Sequence, residues 1–196
     1  MSKNILVSLL VLFCIPTLYS QKNFQSGYVV LNNQDTIYGK IQDRNINKAR
    51  LFEKIKFRAD NGGRMKYGPE DLISYTINGQ VFESKWFDED ANLFRLYYSH
   101  KKGTGEKVFL RLDRKGEMSV YTKEFTDDDC SYIDGFELFL KEGDYYFQRA
   151  TQGIFGLKKK KLASYFSDCP KLVTQLNDRT FKYAFELADF YNNHCE

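Results

Sequence analysis

Asn78-Gly79, set between two runs rich in β-branched and aromatic residues, is the feature that most constrains this chain. The dipeptide tolerates the positive φ angles of a type I′ turn, whose twist matches that of paired strands. A two-residue loop of this kind fixes the register of residues 71–86: Ile77 opposite Gln80, Tyr75 opposite Phe82, Ile73 opposite Ser84, and Asp71 opposite Trp86. One face then carries Ile73, Tyr75, Ile77, Phe82 and Trp86. The other carries Leu72, Ser74, Thr76, Val81, Glu83 and Lys85. Such alternation predicts a half-buried hairpin at the centre of an antiparallel sheet.

Short apolar-alternating runs separated by turn signals extend on both sides of it. Residues 27–31 and 36–41 read as strands joined by Asn32-Asn33-Gln34-Asp35, and 52–58 and 64–67 as strands joined by Asn61-Gly62-Gly63. Asp88-Glu89-Asp90 reads as a charged turn into a strand over 92–99, with Tyr98 on one side and Tyr97 on the other. Further strands are expected over 108–112, 118–125, 136–140 and 145–149. Strands at this spacing predict a meander, sandwich or partly closed barrel. Near Gly156 the period changes to that of helices. Leu157, Leu162, Tyr165 and Phe166 suit a first helix, and Leu172, Val173 and Leu176 a second that opens with Pro170. Phe181, Ala184, Phe185, Ala188 and Tyr191 suit a third capped by Thr180. The expected fold class is therefore α+β, mainly β. Strands span about 27–150, helices over about 156–194 cap the sheet, and 21–196 form a single domain.

The first twenty residues read as a signal peptide. Lys3 supplies the positive start, residues 5–18 are almost wholly apolar, and Ser20 offers a small residue before the cut. A lipidated Cys14 is disfavoured by bulky Phe13 before it. The expected location is the periplasm, the envelope or the outside of the cell, with no transmembrane segment once the signal is removed. A formal net charge of +3 with interspersed signs gives no case for nucleic acid. Three cysteines follow the signal: Cys130, Cys169 and Cys195. Cys169 with Cys195 is the favoured disulfide because the two bracket the last helical segments. The alternative is that all three stay reduced. Cys130 would be a buried thiol or a lone reactive one.

The phrases Gly27-Tyr28-Val29-Val30 and Asp35-Thr36-Ile37-Tyr38-Gly39-Lys40-Ile41, with Leu162-Ala163-Ser164-Tyr165-Phe166-Ser167-Asp168-Cys169-Pro170 and Tyr191-Asn192-Asn193-His194-Cys195 in the tail, resemble exported, uncharacterised proteins common in Bacteroidetes. That resemblance implies an envelope or secreted location and a Cys169–Cys195 pair. It carries no activity and no catalytic residues.

Candidate chemistry is sparse. Gly103-x-Gly105 lacks the third glycine of a dinucleotide loop and reads as a hairpin turn. Asp43-x-Asn45-x-Asn47 starts like a calcium loop, but Lys48 and Lys54 stand where glycine and glutamate belong. Asp127-Asp128-Asp129 with Asp134 reads as a solvated acidic loop rather than a metal site. His100 and His194 are the only histidines, too few for zinc at a workable spacing. No metal, no cofactor and no catalytic residue is therefore assigned. Lys158-Lys159-Lys160-Lys161 reads as a solvated helix start, because four consecutive lysines spread around a helix. Trp86 and the doublets Tyr97-Tyr98 and Tyr145-Tyr146 are the candidate ligand contacts. Alternation turns one member of each doublet outward, where a ring can stack on a sugar or anchor a protein. The expected role is non-catalytic binding or structural contact, with an envelope protein or glycan as partner. A carbohydrate-binding module using those aromatics is the first alternative, and an exported hydrolase with paired carboxylates the second.

Overall fold

The computed structural model describes residues 24–43, 54–92, 95–126, 133–151 and 156–195. Residues 1–20, Asn45, Asn47, Asp127 to Asp129 and Cys130 therefore lie outside the described residues. The strands are β1 Gln25–Leu31, β2 Thr36–Gln42, β3 Ile55–Ala59, β4 Arg64–Tyr67, β5 Leu72–Ile77 and β6 Gln80–Asn92. They continue as β7 Arg95–Ser99, β8 Glu106–Arg114, β9 Met118–Thr126, β10 Ile133–Lys141 and β11 Tyr146–Arg149. Three helices follow: α1 Lys159–Tyr165, α2 Pro170–Asn177 and α3 Ala184–His194. The expected class, mainly β with a C-terminal helical cap, is the fold observed.

Every pairing is antiparallel, in the order β4-β3-β2-β1-β5-β6-β7-β11-β10-β9-β8, and a further β6–β8 pairing closes the last six strands into a barrel. β6 makes this possible by its length of 13 residues. Its start pairs with β5, residues 81–87 pair with β8, and residues 88–92 pair with β7. One strand of the barrel thus also carries the open five-stranded wing of β4, β3, β2, β1 and β5. Asp88, Glu89 and Asp90, expected as a turn, are strand residues opposite Ser99, Tyr98 and Tyr97. Charge marks them as solvent-facing. It does not prevent the backbone from pairing.

The β5–β6 hairpin forms as expected at its tip, with Ile77 opposite Gln80 and Tyr75 opposite Phe82. Asn78 and Gly79 take φ values of +48° and +80°. Tyr75 stacks on Phe82 at 4.7 Å between centroids, and Phe109 meets the Tyr75 ring edge-on at 4.9 Å. Further back the alternation reverses. Leu72 is fully buried, whereas Ile73 is 42% exposed. The β1–β5 register explains this: Val30 faces Ser74 but Leu31 faces Leu72, so Ile73 is the extra residue of a bulge. Trp86 also leaves the expected core face. Phe87 takes the buried place, because β6 has by then passed from the wing to the barrel.

Three apolar clusters result. The wing buries Val29, Ile41, Ile55, Phe57, Leu72, Tyr75 and Phe82. The barrel holds Phe87, Tyr98, Leu110, Tyr121, Leu138 and Phe147. On β9 and β10 the opposite face, with Met118, Val120 and Phe139, lies under Leu162, Phe166, Leu172, Leu176 and Leu187 of the helical segment. The third helix begins at Ala184, not after Thr180. Thr180 still donates its N–H to the Gln175 carbonyl at the end of α2, so the cap forms later. Glu186 supplies it, its Oε2 accepting from the N–H groups of Tyr183 (2.9 Å) and Lys182 (2.7 Å). Those two bonds hold its carboxyl below the usual range.

Two polar clamps fix the helices to the sheet. Lys141 of β10 donates to Asp168 at 2.7 Å and to the Tyr165 carbonyl at 2.9 Å, with its ammonium 4.7 Å from the Tyr165 ring and 5.2 Å from that of Tyr191. Burial pushes the Asp168 carboxyl upward, but the hydrogen bonds from Lys141 and Tyr191 outweigh it and hold the group low. Asn192 of α3 forms the second clamp: its Oδ1 accepts from the Met118 N–H at 2.8 Å and its Nδ2 donates to the Met118 carbonyl at 2.9 Å. The side chain extends the sheet by one rung. Asn192→Ala is expected to destabilise the protein by about 1–3 kcal/mol, since both groups of a buried residue lose their partners. Chemical denaturation reads this directly, and a change below about 0.5 kcal/mol would show that water replaces the clamp at no cost.

Cys169, just before Pro170, and Cys195, just after α3, form the expected disulfide, with Cα atoms 5.4 Å apart. No helix among the described residues is long and apolar enough to cross a membrane.

Candidate functional site

β7, β11 and α1 enclose a groove of about 600 Å³. Its position follows from two contacts. The Lys158 N–H donates to the Ala150 carbonyl at 2.9 Å, and Thr151 bridges Leu157, so the start of α1 is tied to the end of β11. That pairing sets the start of the helix beside the strand and brings Arg149 next to Lys158.

Two tyrosines form the strand side. Tyr97 is 44% and Tyr146 60% exposed, and both line the groove. Tyr146 lies opposite Ser99, which puts Tyr97 diagonally across from it on the same face. Tyr98 points the other way and is only 3% exposed. It serves the site from beneath: its hydroxyl accepts from Arg149 at 3.4 Å. The second doublet departs from the one-in, one-out expectation. Tyr145 precedes β11, is 65% exposed, and contributes its carbonyl to the His100 N–H at 2.7 Å, outside the groove lining. Trp86 is likewise elsewhere. It faces Lys107 across the β6–β8 pair, with the ammonium 5.8 Å from its ring.

The helix side is basic. Lys158, Lys161 and Tyr165 recur at helical spacing and, with Ser164, face the groove. Arg149 adds a third cation, its guanidinium 4.5 Å from the Phe136 ring and its Nε buried without a hydrogen-bond partner among the described residues. None of these three cations forms an ion pair there. Burial lowers the Lys158 ammonium below its ordinary value, and Arg149 and Lys161 lower it further. Tyr165 closes one end. Its hydroxyl donates to Asp144 at 3.3 Å and is held well above the usual phenol range, by burial first and then by that carboxylate. The groove therefore offers two exposed rings and three cations that repel one another until an anion arrives.

Two other polar groups are internal networks. On the barrel-facing side of β6, Glu83 accepts from the Tyr121 hydroxyl at 2.8 Å and pairs with Lys85 at 2.9 Å. Burial opposes ionisation of Glu83, but these contacts keep its carboxyl low. On the other side of β8 and β9, Arg111 bonds Asp113 at 2.7 Å and Glu124 at 2.6 Å. Glu137 of β10, on the same side, has its carboxyl raised by burial and then by Asp113. The hydrolase alternative asks for two carboxylates with opposed shifts. Here Asp113 and Glu124 are both bonded to one arginine, an ion-paired network across two strands. Among the described residues no group of three His, Cys, Asp or Glu side chains gathers as metal ligands.

Of the aromatic candidates read from the sequence, Tyr97, Tyr98 and Tyr146 meet at this groove, and Trp86 and Tyr145 do not. Lys158, Lys161 and Arg149 are the residues that sequence reasoning missed. The spacing of Lys158, Lys161 and Tyr165 carries a one-sided signal that the four-lysine run hides. No protein-family model, curated protein or solved structure matches the chain.

Proposed function

We propose that the chain is an exported, non-catalytic binding protein of the cell envelope or its surroundings, and that the groove between α1 and the β7–β11 edge is its ligand site. The observation that carries the reading is the coincidence of exposed Tyr97 and Tyr146 with Arg149, Lys158 and Lys161 in one groove. Rings that lie open on a sheet face stack on sugar rings, and cations without carboxylates select an acidic group. The ligand class is an acidic carbohydrate, with rings for the sugar faces and cations for a carboxylate or phosphate. Export rests on the apolar start of the chain and agrees with the Cys169–Cys195 disulfide, a bond that persists in oxidising compartments.

Calorimetric titration with a uronic-acid oligosaccharide, against a neutral glucose oligomer of equal length, tests this. The acidic ligand is expected to bind more tightly. K158Q/K161Q is expected to weaken it on the order of 10- to 100-fold, and Y146A by roughly tenfold. No binding of either sugar, or equal binding by wild type and all variants, would remove the groove from consideration.

A further inference from the structure

On one face of β2, β3 and β4, cations stand opposite cations. The register pairs Lys40 with Arg58 and Arg58 with Arg64 in one row, and Lys56 with Lys66 in the next, where Gln42 holds the β2 position. Residues directly opposite in an antiparallel ladder project to the same side, where like charges destabilise the pair. All five cations are exposed, while Ile41, Ile55 and Phe57 of the same strands fill the reverse face. Among the described residues none of the five makes an ion pair. Lys56 donates only to the Gln42 side chain at 3.3 Å, and the Arg58 guanidinium lies 4.0 Å from the Phe24 ring centroid. Asp60, in the turn after β3, pairs with none of them. Outside this face and the groove, Lys85, Lys107, Arg111, Arg114, Lys115 and Lys141 each have a carboxylate within 4 Å.

We propose that this face docks the protein onto an anionic lipid bilayer. The cations form a grid, three strands wide at about 4.8 Å per strand and two rows deep at about 6.6 Å per pair of residues. A two-dimensional array fits a charged surface, whereas a single polyanionic chain would be met by a line of cations or a channel. β4 ends the strand order, so among the described residues no further strand flanks the grid on that side. Phe24 lies among the cations under the Arg58 guanidinium, positioned to meet the boundary between headgroups and acyl chains. Each cation near an anionic leaflet multiplies partitioning by roughly fivefold, and salt screens the attraction.

Co-sedimentation of the purified protein with vesicles of phosphatidylcholine and phosphatidylglycerol (3:1), against pure phosphatidylcholine, tests the proposal. The expected result is binding to the anionic vesicles alone, released by high salt. K56Q/R64Q/K66Q is expected to lose roughly 100-fold in partitioning, while K158Q/K161Q, at the separate groove, changes it little. K56R/R64K/K66R keeps the charge and is expected to bind as wild type, which separates charge from folding. The lipid and salt dependence of the wild type needs no variant at all. Equal binding to both vesicle types, no binding to either, or wild-type binding by the neutralised variant would overturn the proposal. So would retention on a soluble polyanion such as heparin without vesicle binding, which would give the face to a chain-like polyanion.

Discussion

Replacing Phe166 by alanine is expected to lower the unfolding free energy by about 3–5 kcal/mol, the range for removing a large aromatic from a close-packed core. Phe166 is fully buried at the end of α1. Its ring meets Phe139 of β10 at 5.4 Å, Tyr165 at 5.2 Å and Tyr191 of α3 at 5.9 Å. One side chain therefore joins the outer face of the barrel to two helices, and truncation leaves a cavity shared by three elements. Urea unfolding should show an earlier midpoint with an unchanged slope. Phe185→Ala, at an exposed position of α3, is the control and should cost little by comparison. A loss at Phe166 no larger than at Phe185 would mean that the helices do not rest on β9 and β10 as described.

The second large effect concerns the clasp. Cys169 and Cys195 are separated by 26 residues, and in the chain-entropy picture closing such a loop contributes about 3–4 kcal/mol. C169A/C195A, or reduction of the wild type, is expected to lose that amount. The bond joins the start of α2 to the end of α3, so the loss should fall on the helical cap first. Amide exchange should accelerate in α2 and α3 while the barrel strands, held by their own ladders, change less. Intact mass of the chain recovered from its native cells, before and after reduction and alkylation, reports the bond and the start of the chain together. Export predicts a chain beginning at Gln21 with Cys169 and Cys195 protected from alkylation. Uniform exchange across strands and helices after reduction would show the cap and barrel to be one cooperative unit.

Local chemistry made part of this fold legible. Asn78-Gly79 states its turn because few other dipeptides accept two positive φ angles, and from that turn Tyr75 and Phe82 follow. The bulge at Ile73 is not local: it exists only because β1 and β5 fall out of step there, and no pattern within 71–86 records it. Asp88, Glu89 and Asp90 misled in the opposite direction, since their composition resembles a turn while their partners on β7 make them strand. The same distinction governs the surface. Alternating lysines and arginines are visible in β3 and β4 singly, but the opposition of Lys40, Arg58 and Arg64 needs the register of three strands. A net charge near neutral conceals it, because Asp88, Glu89 and Asp90 balance the sum from a strand at least three places away in the sheet. At the groove, alternation made it legible that one of Tyr97 and Tyr98 faces outward, but which of them does depends on the fold. Arg149 comes to Lys158 through the bond of the Lys158 N–H to the Ala150 carbonyl, a pairing that no spacing encodes.

The claim that the groove is the working site is tested most directly by where a ligand lands. Backbone amide shifts of the isotope-labelled protein, followed as a uronic-acid oligosaccharide is added, give that location without any substitution. Saturable shifts are expected to concentrate at Tyr97, Tyr146, Arg149, Lys158 and Lys161, with the wing strands β1 to β4 unchanged. Saturable shifts clustered on another face, or around Arg111, Asp113 and Glu137, would contradict it.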